Sequence, residues 1–249
     1  MTEKTKFGLL GNSLKNSFSV GYFTEKFKQQ GQNFTYENFE LKSINEFKHL
    51  LANEPLLKGL NVTKPYKELI IPFLHDLAES ARSCGAVNCI EIKENGRLVG
   101  HNTDVFGFKI SLEGSKELQS NIQALILGNG GASKAVESVL HQMQIPYKIV
   151  ARRNKRDYSF EEITDDLIKQ HLFIIQTTPI GMFPDINEKL PCAMDGITDK
   201  HFCYDLIYLP KETQFLKIAR EAGAKTLNGL NMLHAQADES YRIWMNSKT

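Results

Sequence analysis

At 249 residues the chain is long for one compact domain and short for three, so at roughly 150 residues per domain it holds one large or two small ones. Hydrophobic residues make up 41% and charged residues 24%, ordinary globular usage that excludes wholesale disorder. Thirty Lys+Arg against 29 Asp+Glu leave a net charge of +1, with no bulk-charge drive toward nucleic acid or an anionic membrane, and no apolar run approaches the span of about 18 residues that a membrane helix needs.

FGLLG (7–11) reads as a strand and is followed by a helical pattern from Val20 to Gln30; FTYENFEL (34–41) is a second strand. Ser43 with Glu46 three residues on is a capping box ahead of Phe47, Leu50 and Leu51. LKGLNVT (57–63) is a third strand that Pro65 breaks, after which Glu68 to Arg82 has a helical pattern. VNCIEIK (87–93) and RLVGHNT (97–103) flank Glu94-Asn95-Gly96, a hairpin in which Gly96 supplies the positive φ. A helix is expected after Asp104.

A second α/β series then begins. ALIL (124–127) runs into GNGGASKAVESVLHQM, followed by YKIVAR (147–152), a helix near 161–170, strands LFIIQTT (172–178) and HFCYDLI (201–207), and helices at 213–222 and Gly229–Met245. Alternation of strand and helix implies an α/β protein with mostly parallel sheets. The expected division is a first domain over 1–104, to which the helix in 229–249 returns, and a Rossmann-type domain over 105–228.

Gly128-Asn129-Gly130-Gly131-Ala132-Ser133 follows a strand and precedes a helix. Glycines there permit the tight turn and the close approach of a pyrophosphate to the backbone, and the helix N-terminus faces the phosphates. Ser133 occupies the usual third-glycine place with a residue small enough for helix–strand packing. The end of the next strand selects the cofactor. An NAD site holds its ribose 2′-OH with an acid about 20 residues after the glycines, whereas here Ala151-Arg152-Arg153-Asn154-Lys155-Arg156 precedes the first acid, Asp157. A basic run suits a 2′-phosphate, with Arg152 able to bind it bidentately, so NADP is favoured. The bland alternative is a solvated basic loop.

Lys67, in Asn61-Val62-Thr63-Lys64-Pro65-Tyr66-Lys67, follows a strand end, and Asp104 starts a helix. A Lys and an Asp at element ends suit acid–base work on a developing alkoxide, though an ordinary surface ion pair fits spacing alone. Cys84, Cys89, Cys192 and Cys203 show neither CxxC nor zinc-site spacing, and no metal is expected. Buried free thiols in a reducing cytoplasm are the expectation.

These segments together resemble the shikimate dehydrogenase family. The resemblance runs from Gly11 to Gln236: Gly-Asn and the two serines at 11–19, Asn-Val-Thr-x-Pro-x-Lys at 61–67, Gly-Ala-Val-Asn at 85–88, and Asn-Thr-Asp at 102–104. Gly-Gly-Ala-Ser at 130–133, Thr-Pro-x-Gly-Met at 178–182, Tyr-Asp-x-x-Tyr at 204–208 and Gly-Leu-x-Met-Leu-x-x-Gln at 229–236 complete the order. The resemblance implies NADPH-dependent reduction of 3-dehydroshikimate to shikimate in aromatic amino acid biosynthesis, in a cleft between the domains, by a monomer or homodimer. It implies Lys67 and Asp104 as the catalytic pair, Ser17 and Ser19 on the substrate carboxylate, and Thr63, Asn88, Tyr208 and Gln236 in the rest of the cradle. Gly128 to Ser133, Arg152 and Arg156 would bind NADP, with Thr178, Met182, Gly229 and Met232 at the nicotinamide end. Simpler roles stand beside these: an N-cap for Ser17 or Ser19, core packing for Met232, an exposed helix position for Gln236 and a strand-end aromatic for Tyr208.

The chain departs from the family pattern in the stretch Ser13 to Val20, which lacks the usual prolines and histidine. It also departs at Lys64 and at Ala151-Arg152-Arg153, and at Gln176 and Asn231, which replace a usual Asn and Gly. The rival readings are a quinate/shikimate dehydrogenase, which often prefers NAD, and a non-catalytic nucleotide or shikimate sensor.

Overall fold

A computed structural model describes residues 4–14, 17–115, 117–118, 121–152 and 156–246. The chain forms two compact units. One comprises positions up to Phe106 together with those from Gln236 onward, and the other comprises Gly107–Ala235.

The first unit is built on a six-stranded sheet: β1 (Thr5–Gly11), β2 (Phe34–Glu40), β3 (Leu57–Val62), β4 (Asp76–Leu77), β5 (Cys89–Ile92) and β6 (Leu98–His101), in the order β2-β1-β3-β5-β6-β4. β1 pairs parallel with β2 and β3, and β4 parallel with β6, while β5 runs antiparallel to β3 and β6. The β5–β6 hairpin turns where Gly96 takes φ +78°. One sheet face carries Leu10, Leu60, Val62, Tyr66, Ile70 and Ile90 in a single core. A second core gathers Phe7, Phe23, Phe27, Tyr36 and Trp244 around α1 (Phe18–Gln29) and the end of the last helix. Trp244 stacks on Phe7 at 4.8 Å between ring centroids, and its indole N–H donates to the Ile90 carbonyl at 3.1 Å. Gly59 makes that packing possible, because a Cβ there would lie 2.3 Å from the indole nitrogen.

The Ser43–Glu46 capping box is present, opening a 3-10 turn (Ile44–Glu46) that leads into α2 (Phe47–Asn53). The expected helix over 68–82 is not one helix. It divides into α3 (Tyr66–Leu69), a 3-10 turn (Ile71–Phe73), β4 and α4 (Glu79–Cys84). Pro72 supplies no N–H to an α-helical ladder, so the helix of Tyr66 gives way there to a short 3-10 turn. The next amides are then taken by the sheet, His75 N–H by Leu98 O and Ala78 N–H by Gly100 O. Tertiary pairing overrides the helical pattern.

The second unit holds β7 (Ala124–Leu127), β8 (Tyr147–Val150), β9 (Phe173–Gln176), β10 (Phe202–Asp205) and β11 (Lys225–Asn228), all parallel, in the order β11-β10-β9-β7-β8. In chain order, its helices are α5 (Thr103–Ser115), shared with the first unit, α6 (Gly131–Gln142), α7 (Asp165–Gln170), α8 (Gln214–Glu221) and α9 (Leu230–Asn246), which crosses back. The helix expected near 161–170 begins as a separate 3-10 turn, Phe160–Glu162, because Ile163 is extended and Thr164 caps α7 through Leu167 N–H. β11 escapes the sequence reading because it is an edge strand without buried alternation. The chain goes from β7 to β8 on one side and then crosses to β9 on the other. The reversal between β7 and β9 is where doubly wound sheets receive ligands, beyond the carboxyl ends of the strands.

Candidate active site

In the first unit, the end of β3 leads through Thr63 into α3, which carries Lys67, and α5 opens with Thr103 and Asp104. Lys67 Nζ donates to Asp104 Oδ2 at 2.6 Å, with side chains 20% and 12% exposed. That is a short charge-assisted bond, largely withdrawn from water. Asn102 fixes the carboxylate's element. Its Oδ1 accepts from Val105 N–H at 3.3 Å, while its amide nitrogen donates to Ala86 O at 2.9 Å and Cys84 Sγ at 3.0 Å.

Beside this pair lies a buried polar chain. Asn88 Oδ1 accepts from the Thr103 N–H at 2.6 Å and the Thr103 hydroxyl at 3.2 Å. Its Nδ2 donates to no atom among the described residues, although the side chain is buried. Thr103 Oγ1 also meets Gln236 Oε1 at 3.5 Å and Ser240 Oγ at 3.1 Å. Asn61 donates to Ser240 Oγ at 2.9 Å and accepts from the Tyr36 hydroxyl at 2.8 Å. Ser19 hydrogen-bonds Tyr36, whose phenol burial pushes well above its ordinary range. The structure therefore brings together Ser19, Asn88, Gln236 and Asp104 through Tyr36, Asn61, Thr103 and Ser240. Tyr36 and Ser240 were absent from the sequence reading, since neither sits in a motif. The signals that could have found them are weak: Tyr36 lies in the strand 34–41, and Ser240 lies four residues after Gln236 on α9.

Ser17 caps α1, its hydroxyl accepting from Ser19 N–H at 3.2 Å, so the capping role is present. Thr63 follows β3 with its amide bonded to Leu10 O, and Gly11 leaves room for it, since a Cβ there would approach Thr63 Cγ2 to 2.8 Å. Lys64 is exposed. Lys15 and Asn16 lie outside the described residues. Tyr208 belongs to the second unit, half-buried after β10, its phenol raised by burial.

In the second unit the glycine loop leaves β7 at the switch point. Gly128 has φ +118°, and a Cβ there would stand 2.5 Å from Thr177 Oγ1, so both conformation and space require glycine. Gly130 caps α6. The amides of Gly131 and Ala132 open that helix, where no intrahelical acceptor exists. Ser133 is fully buried, its hydroxyl donating to Gly130 O at 2.7 Å, which packs the helix start close to the strand. These features fit a dinucleotide pyrophosphate on the helix N-terminus.

Arg152 is exposed at the end of β8 and forms no hydrogen bond or ion pair among the described residues. Arg156 is held at 3.4 Å by Glu137 of α6, a carboxyl that burial raises despite the nearby guanidinium. Residues 153–155 lie outside the described set. Asp157, the first acid after the basic run, is turned back to the strand, where it accepts from Ile149 N–H and Lys148 Nζ, both at 2.9 Å. Burial alone would raise its carboxyl, yet those bonds hold it below its ordinary value. Thr178 and Met182 lie in the loop after β9, with Met182 38% exposed, whereas Met232 is buried. At Gly229 a Cβ would fall 1.9 Å from Leu206 O.

The fold and these sites define a two-unit α/β protein with a dinucleotide-type sheet and a lysine–aspartate pair. Residues 9–90 match the family model described as the shikimate dehydrogenase substrate binding domain. The shikimate dehydrogenase (NADP(+)) of Methanosphaera stadtmanae is 36% identical, over 95% of this chain and 90% of that protein. The crystal structure of shikimate dehydrogenase from Aquifex aeolicus superposes with a TM-score of 0.85 at 32% identity, covering 99% of this chain and 94% of that one. Quinate dehydrogenase from Corynebacterium glutamicum, in complex with NAD, superposes at 0.87 with 26% identity, over 98% of this chain and 94% of that one. The chain belongs to the shikimate dehydrogenase family.

Among the described residues no helix is long and apolar enough to cross a membrane.

Proposed function

We propose that the chain is an NADP-dependent shikimate dehydrogenase, an oxidoreductase that reversibly reduces 3-dehydroshikimate to shikimate. The first unit binds the substrate and the second the cofactor. The observation that carries the reading is the Lys67–Asp104 pair at 2.6 Å, next to a buried amide, Asn88, with donors left for a ligand. When bound, NADPH supplies the hydride that turns the ketone carbon into a secondary alcohol carbon. Lys67 Nζ donates to the ketone oxygen and hands it a proton as negative charge develops there; the amine then regains a proton from solvent. Asp104 accepts from Lys67 and fixes the direction of Nζ. Ser17 and Ser19 hold the substrate carboxylate, and Thr63, Asn88, Gln236 and Tyr208 hold the ring hydroxyls and the ring.

Selection of NADP over NAD follows from the end of β8. Asp157 is spent on Ile149 N–H and Lys148, so it does not serve a ribose 2′-OH, and exposed Arg152 is available to a 2′-phosphate. That arrangement favours the NADP-linked shikimate reaction over the quinate reaction of the Corynebacterium neighbour. The free thiols, three of them buried, support work in a reducing cytoplasm.

The test is oxidation of NADPH by purified protein with 3-dehydroshikimate, run beside NADH and 3-dehydroquinate. Fast turnover confined to NADPH and 3-dehydroshikimate is expected. Turnover with NADH and 3-dehydroquinate would assign the chain to the quinate branch, and tight NADPH binding without turnover would make it a sensor.

A further inference from the structure

Gln176 stands at the carboxyl end of β9, in the middle of the second unit's sheet, and is fully buried. Its backbone pairs with Leu127 on one side and Asp205 on the other. Nothing in that position calls for a polar side chain, and an unpaired buried amide is costly. The side chain is instead engaged at both its ends with the loop that follows. Oε1 accepts both the Thr178 N–H and the Thr178 hydroxyl, each at 2.7 Å, and Nε2 donates to Ile180 O at 3.0 Å. Thr178 Oγ1 in turn accepts from Ile180 N–H at 3.3 Å.

The loop so braced turns at Gly181 (φ +86°), continues through Met182, and is joined to the neighbouring loop by the bond from Phe183 N–H to Leu209 O at 3.1 Å. Thr213, whose hydroxyl donates to Asp205, packs against Gly181, where a Cβ would meet Thr213 Cβ at 3.6 Å. Two buried polar side chains opposite one another in the sheet therefore each hold one of two joined loops.

We infer that Gln176 is a positioning residue for hydride transfer, its amide clamping the loop that sets Thr178 and Met182. The inference rests on the reading of those two residues as the nicotinamide end of an NADPH site. The clamp needs an acceptor toward Thr178 and a donor toward Ile180 at once. A primary amide provides both, leucine neither, and an ionised carboxylate only the acceptor. A protonated carboxyl provides both again, so Gln176→Glu converts the clamp into one that pH can open. The ionisable group facing position 176 across the sheet is Asp205 of β10, while Leu127 faces it from β7.

The experiment compares wild type, Q176L, Q176N and Q176E for kcat, for NADPH affinity by cofactor fluorescence, and for melting temperature, from about pH 5.5 to 8.5. Q176L is expected to lose roughly 10- to 100-fold in kcat, the scale of small misplacements of reacting groups, while NADPH affinity changes by less than about threefold. Q176N, about one methylene short, is expected to fall between Q176L and wild type. The ratio of Q176E to wild-type kcat is expected to rise as pH falls, because protonation restores the donor to Ile180 O. Wild-type kcat in Q176L, a loss shared equally by NADPH affinity, or a Q176E ratio flat with pH would each overturn the inference. If Q176L does not fold, the Q176E ratio decides alone. Absence of turnover in the wild type would overturn the proposed reaction and this inference with it, whereas an active wild type with an indifferent position 176 overturns the inference alone.

Discussion

Replacing Lys67 by alanine tests the proposed chemistry most directly. The ammonium makes a 2.6 Å bond to Asp104, and its side chain keeps 20% exposure, through which the proposed reaction brings the ketone oxygen. Deletion removes a charge-assisted donor to the developing oxyanion, worth about 1.5–3 kcal/mol, or roughly 10- to 150-fold in rate. It also removes the positioned acid, whose usual worth is roughly 10²–10⁴-fold. The two act through one atom and do not multiply, so kcat should fall by about 10²–10⁴ with a smaller change in KM. Folding should suffer less. Asp104 is left without its cation at 12% side-chain exposure, a cost of about 1–3 kcal/mol that Asp104→Asn in the same chain should largely relieve. The assay is steady-state NADPH oxidation with urea unfolding of the single and double variants. Unchanged turnover in Lys67→Ala would remove Lys67 from the mechanism. Recovery of turnover in the double variant would show that the single variant had failed through stability alone.

The two arginines should separate. Arg152→Ala should weaken NADPH by about 1.5–3 kcal/mol and leave NADH nearly unaffected, while Arg156→Ala, already paired with Glu137, should cost NADPH less; equal losses for both cofactors would sink the 2′-phosphate assignment. Gly229→Ala should destabilise by roughly 3 kcal/mol or more, since its Cβ would meet the Leu206 carbonyl at 1.9 Å, and a denaturation midpoint close to wild type would show that the backbone yields there. Burial pushes the Asp205 carboxyl from 3.8 up to about 7, opposed by bonds from Thr213 and Ile207. Between those values the folded chain binds the proton that the unfolded chain releases, so this group makes stability fall as pH rises from about 4 to 7. Asp205→Asn should flatten that part of the profile, and an identical slope in the variant would place the cause elsewhere.

Most elements were legible because the alternation of short apolar runs with helical patterns is set by local sequence, and capping at Ser43 and the turn at Gly96 depend on a few adjacent residues. The failures lie where partners are distant. The stretch after Tyr66 has helical spacing, but Pro72 interrupts it and the carbonyls of Leu98 and Gly100 claim its amides, which no window of sequence displays. β11 carries little apolar pattern because it is an edge. In the site, spacing alone left Lys67 and Asp104 open to a surface ion pair; the family resemblance singled them out, and the fold supplies their 2.6 Å contact. Tyr36 and Ser240 stayed hidden because their role is to complete hydrogen bonds begun by Asn61 and Thr103, on elements far away in the chain.

A common device underlies both sites. Asn88, Asn102 and Gln176 lie at or next to strand ends, and each uses its side-chain carbonyl oxygen to take a backbone N–H in the first turn of α5 (Thr103 and Val105) or in the loop after β9 (Thr178). An amide can do this without bringing a charge into the interior, and its NH2 remains for a second bond, to Ala86 O from Asn102 and to Ile180 O from Gln176. Asn88 differs in that its NH2 has no such protein partner among the described residues. Buried polar groups are paired as a rule, so the pattern separates two uses of one residue type. Where both ends of the amide meet protein, it shapes a loop; where the donor end is left over, the proposed reaction gives it the oxygen of a ligand. Asn88→Ala should accordingly raise KM for 3-dehydroshikimate, whereas substitutions at Gln176 should lower kcat, and an Asn88→Ala enzyme with wild-type KM would show that its free donors face solvent and not substrate.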